Sequence, residues 1–353
     1  MKRNFSMIEY FNRKAAAIKP RCRFEGKTRQ DFERWHGELL GEVKRLLGPM
    51  PEAGELNAEV VWEIEEDGLI KRRVIFDSEA DMSVPALLFI PKDKKGKLPA
   101  ILCNHGHGRF GKDSVMGVRS GFDKRREEEI DSFNYDYGLQ MAGHGYITMA
   151  IDWRVFGERS DNRDPYGDDN REAYPGRDKC NVQFIRGALM GRYLLALDIF
   201  DGMRAIDYLC GLECVDAERI GAMGLSFGGT MTTWISLMDE RVKAADIICY
   251  SCNFRNFAVK YGNFCGSQIV PGLFEICDVP DLHGLIAPRP LLTEIGVYDK
   301  CFLVDDALEC ADKVTKIYNA AGVSENYEVD LFEGDHAFGG NKAFEFFDKH
   351  LKG

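Results

Sequence analysis

The sequence predicts an α/β protein in which a mostly parallel sheet carries helices on both faces. Two observations support this prediction. First, Asp67-Gly68 is a strong hairpin signal between two strand-like runs, which places antiparallel strands at the start of the sheet. Second, helical and strand-like segments alternate from about residue 98 onward, as β-α-β units of a parallel sheet do.

The elements follow from hydrophobic periodicity and turn residues. Strands are predicted at 57–66, 69–77, 84–90, 98–103, 146–151, 219–223, 244–250, 291–295 and 327–331. Helices are predicted near 127–143, at 228–238, at 304–321 and from 342 onward. One apolar face continues from Val182 to Cys210, which predicts a single helix of eight turns.

Residues 1–55 predict a helical extension ahead of a catalytic domain at 56–353. Apolar side chains recur at steps of three and four residues, at Phe32, Trp35, Leu39 and Val43. Gly48-Pro49 then ends the helical pattern.

Composition narrows the class of protein. The chain has 353 residues, 45% of them hydrophobic, and a net charge of −11. This acidic balance argues against a nucleic-acid or anionic-membrane partner, because both need concentrated positive charge. We find no secretory leader and no apolar run of membrane-spanning length. The 11 cysteines are odd in number and scattered, so we expect reduced thiols in a cytoplasmic protein.

Gly224-Leu225-Ser226-Phe227-Gly228 matches the G-x-S-x-G nucleophile elbow. A short apolar strand precedes it and a helix follows it, which is the context that the motif requires. The sharp turn favours glycine on either side of the serine. We therefore predict Ser226 as the nucleophile and the Phe227 amide as an oxyanion donor.

Chain order selects the base among 7 histidines. A serine hydroxyl needs a positioned base, and in this arrangement the order is Ser, acid, His. His336 lies just after the last predicted strand, whereas His283 comes too early and His350 lies near the end of the terminal helix. The prediction is therefore His336.

Asp299 is the predicted acid, because it follows the strand at 291–295, where ligand-facing groups gather in open α/β sheets. Asp305 and Asp306 compete with it, but they fall where the next helix begins and suit N-capping better. Asp335, beside His336, is interpreted as a carboxylate that orders the loop.

The turn His105-Gly106-His107-Gly108 follows the strand at 98–103 and predicts the second oxyanion donor, the His107 amide. Gly106 and Gly108 are predicted to line the substrate pocket. Gly106 to Lys112 nearly matches a phosphate-binding loop, but Asp113 replaces the Ser or Thr that holds magnesium. No set of ligands at metal-binding spacing accompanies the histidines, so we predict neither a metal nor a cofactor.

Two insertions are candidates for substrate contacts. The charged loop at 154–180 is either a lid that recognises a polar substrate, with Arg154 as a contact, or a solvated loop with self-paired charges. The segment at 251–277 supplies Phe254 and Tyr261, which either line a pocket or form the core of a small cap.

From about residue 80 to the end, the sequence resembles α/β-hydrolases related to dienelactone hydrolases and acetyl xylan esterases. The matching stretches include NHGHG at 104–108, DWRVFGER at 152–159, GLSFGGTM at 224–231, NFCGSQIVPGL at 263–273 and LIAPRPLL at 285–292. The resemblance implies a triad of Ser226, Asp299 and His336, an oxyanion hole from Phe227 and His107, and no cofactor.

The expected activity is hydrolysis of a small carboxylic ester with a short acyl group, such as an acetylated carbohydrate. The same triad could serve a lactone, amide or carbon–carbon bond hydrolase, or the fold could have become a silent binding protein. The expected partner is a small-molecule ester. The sequence leaves open whether the protein forms a homo-oligomer.

Overall fold

The computed structural model describes residues 3–92, 94–119, 123–162, 164, 166 and 178–353. In chain order the strands are β1 Glu59–Glu66, β2 Leu69–Glu79, β3 Met82–Pro91, β4 Leu98–Asn104, β5 Ile147–Ile151, β6 Val215–Leu225, β7 Val242–Ile248, β8 Leu291–Gly296 and β9 Tyr327–Phe332. They form one sheet in the order β1-β2-β3-β5-β4-β6-β7-β8-β9.

Strand directions match the sequence-based prediction. β1, β2 and β3 pair antiparallel, and β3 pairs antiparallel with β5. From β5 across to β9 every neighbouring pair is parallel. The carboxyl ends of β4, β6, β7, β8 and β9 therefore meet at one edge of the sheet, where open α/β folds place their ligands.

Helices cover both faces of this sheet, as predicted. The α-helices are α1 Met7–Ala17, α2 Arg29–Leu47, α3 Lys112–Val115, α4 Lys124–Phe133, α5 Tyr137–Gly143, α6 Lys179–Leu189, α7 Leu194–Gly211, α8 Phe227–Met238, α9 Leu273–Ile276, α10 Val279–Gly284, α11 Val304–Ala321 and α12 Ala343–Phe347. Short 3₁₀ turns lie at Gly157–Arg159 and Ser324–Asn326, and π-helical turns lie at Phe254–Lys260 and Asp348–Lys352.

Two apolar clusters fill the space between the sheet and these helices. Alternate residues of β4 enter opposite clusters, Ala100 and Leu102 on one face and Ile101 and Cys103 on the other. This alternation is what a strand buried on both faces requires. None of the helices among the described residues combines the length and the apolar character needed to cross a lipid bilayer.

Two of the helix predictions were wrong in the same way. The helix predicted over 182–210 is two helices, α6 and α7, and the chain turns between them at Gly191, whose φ is 69°. The stretch at 127–143 is likewise α4 and α5, and α4 ends at Asn134, whose φ is 47°. Apolar spacing continues across both breaks, so periodicity alone does not reveal a single left-handed residue.

The N-terminal extension packs on the catalytic domain. α2 begins with a capping box between Thr28 and Asp31, and its buried face, which includes Leu39 and Val43, belongs to the same apolar cluster as the sheet. The His36 ring contacts the Leu285 carbonyl at 3.0 Å, just after α10. The extension and the catalytic domain therefore share one core.

Candidate active site

The predicted elbow lies between β6 and α8. Ser226 has φ 62° and ψ −118°, a left-handed conformation that a residue with a side chain rarely adopts. Its amide donates to the Ile248 carbonyl at 2.9 Å, and its carbonyl accepts from the Thr230 amide at 3.1 Å. The strained turn is therefore held from the neighbouring strand and from the first turn of α8.

Glycine is sterically required on both sides of the serine. A Cβ at Gly228 would lie 1.9 Å from the Asn104 carbonyl oxygen, and a Cβ at Gly224 would lie 2.5 Å from the Gly228 carbonyl oxygen. Both distances are far below van der Waals contact with backbone that cannot move aside. The G-x-S-x-G pattern is thus explained by close packing of β4, β6 and α8.

Asp299 and His336 meet at the carboxyl ends of β8 and β9. His336 Nδ1 lies 2.7 Å from Asp299 Oδ2. The other oxygen, Asp299 Oδ1, accepts from the amides of Cys301 at 2.7 Å and Phe302 at 2.9 Å. Because an ionised carboxylate can only accept, this arrangement assigns the proton to His336 Nδ1 and leaves Nε2 as an acceptor.

Cys249 links this pair to the elbow. It directly follows Ile248, the residue whose carbonyl accepts from the Ser226 amide. Its sulfur lies within 4.8 Å of the ligating atoms of Asp299 and His336. The sheet therefore brings Asp299, His336 and the turn at Ser226 to one place.

The loop that carries His336 is fixed on several sides. The His336 ring stacks on Phe302, with centroids 5.6 Å apart and planes at 9°, and Phe133 meets it edge-on at 6.3 Å. Farther along the loop, the amides of Gly339 and Gly340 donate to Glu294 Oε2 at 2.7 and 3.2 Å. This packing limits the rotation of the imidazole.

Glu294 belongs to a buried carboxyl pair under that loop. Both Asp246 and Glu294 are fully buried. Burial, followed by the proximity of Glu294, raises the pKa of Asp246. Burial also raises the pKa of Glu294 to about 8, against the opposing hydrogen bonds from Gly340 and Gly339. At neutral pH the pair therefore holds at least one proton.

The predicted oxyanion donors lie on the other side of Ser226. A Cβ at Gly106 would sit 3.3 Å from Ser226 Cβ, so the glycine turn touches the serine. The Gly106 amide itself donates to the Tyr135 hydroxyl at 2.5 Å. Among the described residues, no protein acceptor engages the amides of His107 or Phe227. Both are therefore free to donate to an anionic oxygen.

Arg154 requires a correction, because it is not free to bind a substrate. Its side chain is 10% exposed and forms ion pairs with Asp201 at 2.8 Å and with Glu79 at 2.7 Å. These ion pairs engage the guanidinium, as expected for a loop with self-paired charges. Of the rest of the predicted lid, residues 163, 165 and 167–177 lie outside the described residues.

Of the two alternatives for Phe254, packing in a core fits the structure better than lining a pocket. Phe254 is 4% exposed and packs edge-on against Phe264 and Phe274 in the main core. Tyr261 is 42% exposed, and Lys260 Nζ lies 4.9 Å from the centroid of its ring. The described residues show no contact between Tyr261 and Ser226. Gly108 packs against the Glu129 carboxylate, where a Cβ would lie 2.6 Å from Oε1.

Lys112, the lysine of the near match to a phosphate-binding loop, is buried among carboxylates. Its Nζ lies 3.0 Å from Asp152, 3.1 Å from Asp113 and 2.7 Å from Glu158. These ion pairs tie α3 to the segment after β5 and occupy the ammonium group.

The sequence analysis missed two cysteines beside the glycine turn, His105-Gly106-His107-Gly108. His107 Nε2 lies 3.1 Å from Cys265 Sγ, and the Cys180 thiol belongs to the same cluster. The hydrogen bond from Cys180, with His107 alongside, lowers the pKa of the Cys265 thiol. No local motif joins these positions, since His107 and Cys265 are 158 residues apart.

Comparison with known proteins finds relatives of part and of most of the chain. Residues 120–262 match the model of the acetyl xylan esterase (AXE1) family. The Bacillus subtilis (strain 168) protein named "Putative hydrolase YtaP" is 26% identical over 300 residues, which are 83% of this chain and 91% of that protein. The chain therefore resembles α/β-hydrolases of the esterase type.

Solved structures share the fold of this chain. A "putative acetyl xylan esterase (BF1801)" from Bacteroides fragilis NCTC 9343 superposes with a TM-score of 0.75 at 18% identity, over 94% of this chain and 83% of that one. A glucuronoyl esterase from Solibacter usitatus superposes with a TM-score of 0.66 at 16% identity, over 94% and 99% of the two chains. The α/β-hydrolase fold predicted from the sequence is thus confirmed.

Proposed function

We propose that this α/β-hydrolase cleaves small carboxylic esters through an acyl-enzyme on Ser226. One observation carries the proposal. Asp299 is fixed by two backbone amides and holds the imidazole of His336 with Nε2 left as the base, at the same edge of the sheet as a serine in the strained conformation of a nucleophile elbow.

In the proposed mechanism, Ser226 Oγ attacks the ester carbonyl while His336 Nε2 takes its proton. The Phe227 and His107 amides donate to the negative oxygen of the tetrahedral intermediate. His336 then returns the proton to the leaving alcohol, and the acyl group stays on Ser226. Water, deprotonated by the same histidine, attacks the acyl-enzyme and regenerates the serine.

The proposed substrates are short acyl esters, in particular acetyl groups carried by carbohydrates. Support comes from the match of residues 120–262 to the acetyl xylan esterase family and from structural neighbours named as acetyl xylan and glucuronoyl esterases.

A substrate panel tests the proposal. Purified protein is assayed with p-nitrophenyl esters from acetate to octanoate, acetylated xylo-oligosaccharides, methyl glucuronates, simple lactones and anilides, beside Ser226→Ala. We expect the highest kcat/KM on acetyl esters and labelling of wild type, but not Ser226→Ala, by a fluorophosphonate. Equal, slow hydrolysis of every substrate by both proteins would contradict the proposal, and a preference for lactones or anilides would reassign the bond cleaved.

A further inference from the structure

Three side chains with ligating atoms converge beside the glycine turn. His107 lies in the turn after β4, Cys180 in the first turn of α6, and Cys265 in the loop that precedes α9. Their imidazole nitrogen and two sulfur atoms all lie within 4.8 Å of one another. The three residues, here called the His–Cys–Cys cluster, come from three separate segments of the chain.

The cluster rests on supports that fix the thiols. Cys180 is buried. The loop of Cys265 is tied to α6, because the Gly266 amide donates to Asn181 Oδ1 at 2.9 Å. It is also tied to α8, because Gln268 Nε2 donates to Thr230 Oγ1 at 3.0 Å. Close packing adds to this, since a Cβ at Gly266 would lie 2.2 Å from Phe184 Cβ.

The His107 ring is held in a similar way. It packs against Phe227 with centroids 4.7 Å apart and against Phe156 at 5.5 Å. These contacts aim Nε2 at the Cys265 sulfur, 3.1 Å away. All three ligating atoms are therefore oriented before anything binds.

We propose that the His–Cys–Cys cluster binds one zinc-like divalent cation through His107 Nε2, Cys180 Sγ and Cys265 Sγ. Two thiolates and an imidazole are ligands that Zn²⁺ takes in tetrahedral sites, with the fourth position open to water. Tetrahedral Zn–S and Zn–N bonds separate such atoms by about 3.5–3.8 Å. The cluster needs only small side-chain movements to reach these separations, and binding displaces the two thiol protons.

The site has a second consequence, which rests on the proposed function. His107 carries the amide assigned as an oxyanion donor, so a cation on its ring would hold the turn beside Ser226 in one position. Metal binding would then change the rate of ester hydrolysis. The binding itself requires no catalysis.

Cobalt(II) titration tests the site directly. Metal-free protein in a phosphine reductant is titrated with Co²⁺ under nitrogen. We expect thiolate-to-cobalt charge-transfer absorption and tetrahedral d–d bands that saturate at one equivalent and disappear when Zn²⁺ is added. Cys265→Ser and Cys180→Ala should lose these bands, while Cys301→Ser, which removes an exposed thiol, should keep them.

Controls keep the outcome interpretable. Far-UV circular dichroism and thermal melting report whether each variant folds, and His107→Ala provides a third variant with both thiols intact. Ser226→Ala should bind Co²⁺ with full stoichiometry even though it is inactive, which separates failure of the site from failure of the proposed function. Hydrolysis of p-nitrophenyl acetate with and without Zn²⁺, in wild type and Cys265→Ser, tests the coupling.

Three results would overturn the metal site. The first is the absence of tetrahedral bands in wild type. The second is the same spectrum in folded Cys265→Ser. The third is a Cys180–Cys265 disulfide in air-exposed protein, seen as a loss of two hydrogens in intact mass, together with no cobalt binding after reduction, which would assign the pair to redox chemistry.

Discussion

Two three-residue groups flank Ser226, and each contains atoms able to bind a metal: Cys249 with Asp299 and His336, and the His–Cys–Cys cluster. In the first group the imidazole faces a carboxylate at 2.7 Å, and two backbone amides fix that carboxylate. In the second group the imidazole faces a thiol at 3.1 Å. A buried carboxylate holds a proton on the ring nitrogen that faces it and leaves the other nitrogen as an acceptor, whereas thiols offer soft ligands, so one group suits proton transfer and the other suits cation binding.

The third member of each group sharpens this difference. Cys249 is buried, and its thiol donates to the Ala337 carbonyl at 3.5 Å, which gives it a structural role under the His336 loop. Cys180 lies in the first turn of α6, so a helix end rather than a strand positions it in the His–Cys–Cys cluster. In the first group, the sheet positions the residues proposed for proton transfer. In the second group, the positions of the proposed ligands depend on how the glycine turn, α6 and the loop at 263–268 pack together.

The largest effect is expected for Asp299→Asn. The asparagine can still accept from the Cys301 and Phe302 amides, but its NH₂ group would face His336 Nδ1 and favour the wrong tautomer. We expect kcat to fall by about 10⁴-fold with little loss of stability. Steady-state kinetics on p-nitrophenyl acetate measure it, beside Asp305→Asn on an exposed position of α11. A loss below tenfold would mean that Asp299 is not the acid.

The same comparison explains what the sequence could predict. Ser226, Asp299 and His336 each follow one of the parallel strands of the sheet, so chain order and strand ends are enough to predict them as a group. The His–Cys–Cys cluster has no such rule, because its members come together only through the packing of the glycine turn, α6 and the loop at 263–268. Arg154 failed for a related reason: its partner Asp201 lies 47 residues later, on a helix whose buried face the charge pattern did not reveal.

The next effect concerns the glycine turn. In Gly106→Ala the new methyl group would lie 2.8 Å from the Tyr135 hydroxyl and 3.0 Å from the Leu225 carbonyl, so the turn must move away from Ser226. Displacing the His107 amide removes one oxyanion donor, which costs on the order of 100-fold in kcat. Gly143→Ala on α5, where a Cβ meets open space, is the matched control. Unchanged kcat in folded Gly106→Ala would argue against the second donor.

Arg154→Gln tests whether this arginine serves packing or substrate. Removing the guanidinium leaves buried Asp201 with Arg159 as its cationic partner, and we expect the free energy of unfolding to fall by about 3 kcal/mol. KM on acetyl esters should not change. Urea denaturation gives the stability, and Arg29→Gln, which removes an exposed helix pair with Glu33, should change it by less than about 0.5 kcal/mol. A raised KM with unchanged stability would restore the substrate-binding role.

The smallest effect is expected for Glu294→Gln, in the pH dependence of the free energy of unfolding. Glu294 lies under the loop that carries His336. The folded state keeps a proton on Glu294 up to a pKa of about 8, whereas an unfolded glutamate releases it near a pKa of about 4.3. Between these values the folded state binds more protons, so Glu294 makes the free energy of unfolding fall as pH rises. Glu294→Gln removes that contribution, while its side-chain oxygen still accepts from Gly339 and Gly340.

Urea denaturation at pH 5, 6, 7 and 8 measures this slope for wild type, Glu294→Gln and Glu325→Gln, a substitution at an exposed position. The Glu294→Gln curve should be flatter, and its stability relative to wild type should improve from pH 5 to pH 8. Burial also raises the pKa of Asp198 to about 8, but all three proteins share that contribution, so the difference reports the Glu294–Asp246 pair. Parallel curves would mean that this pair holds no extra proton in the folded protein, and the His336 loop would then rest on buried charge.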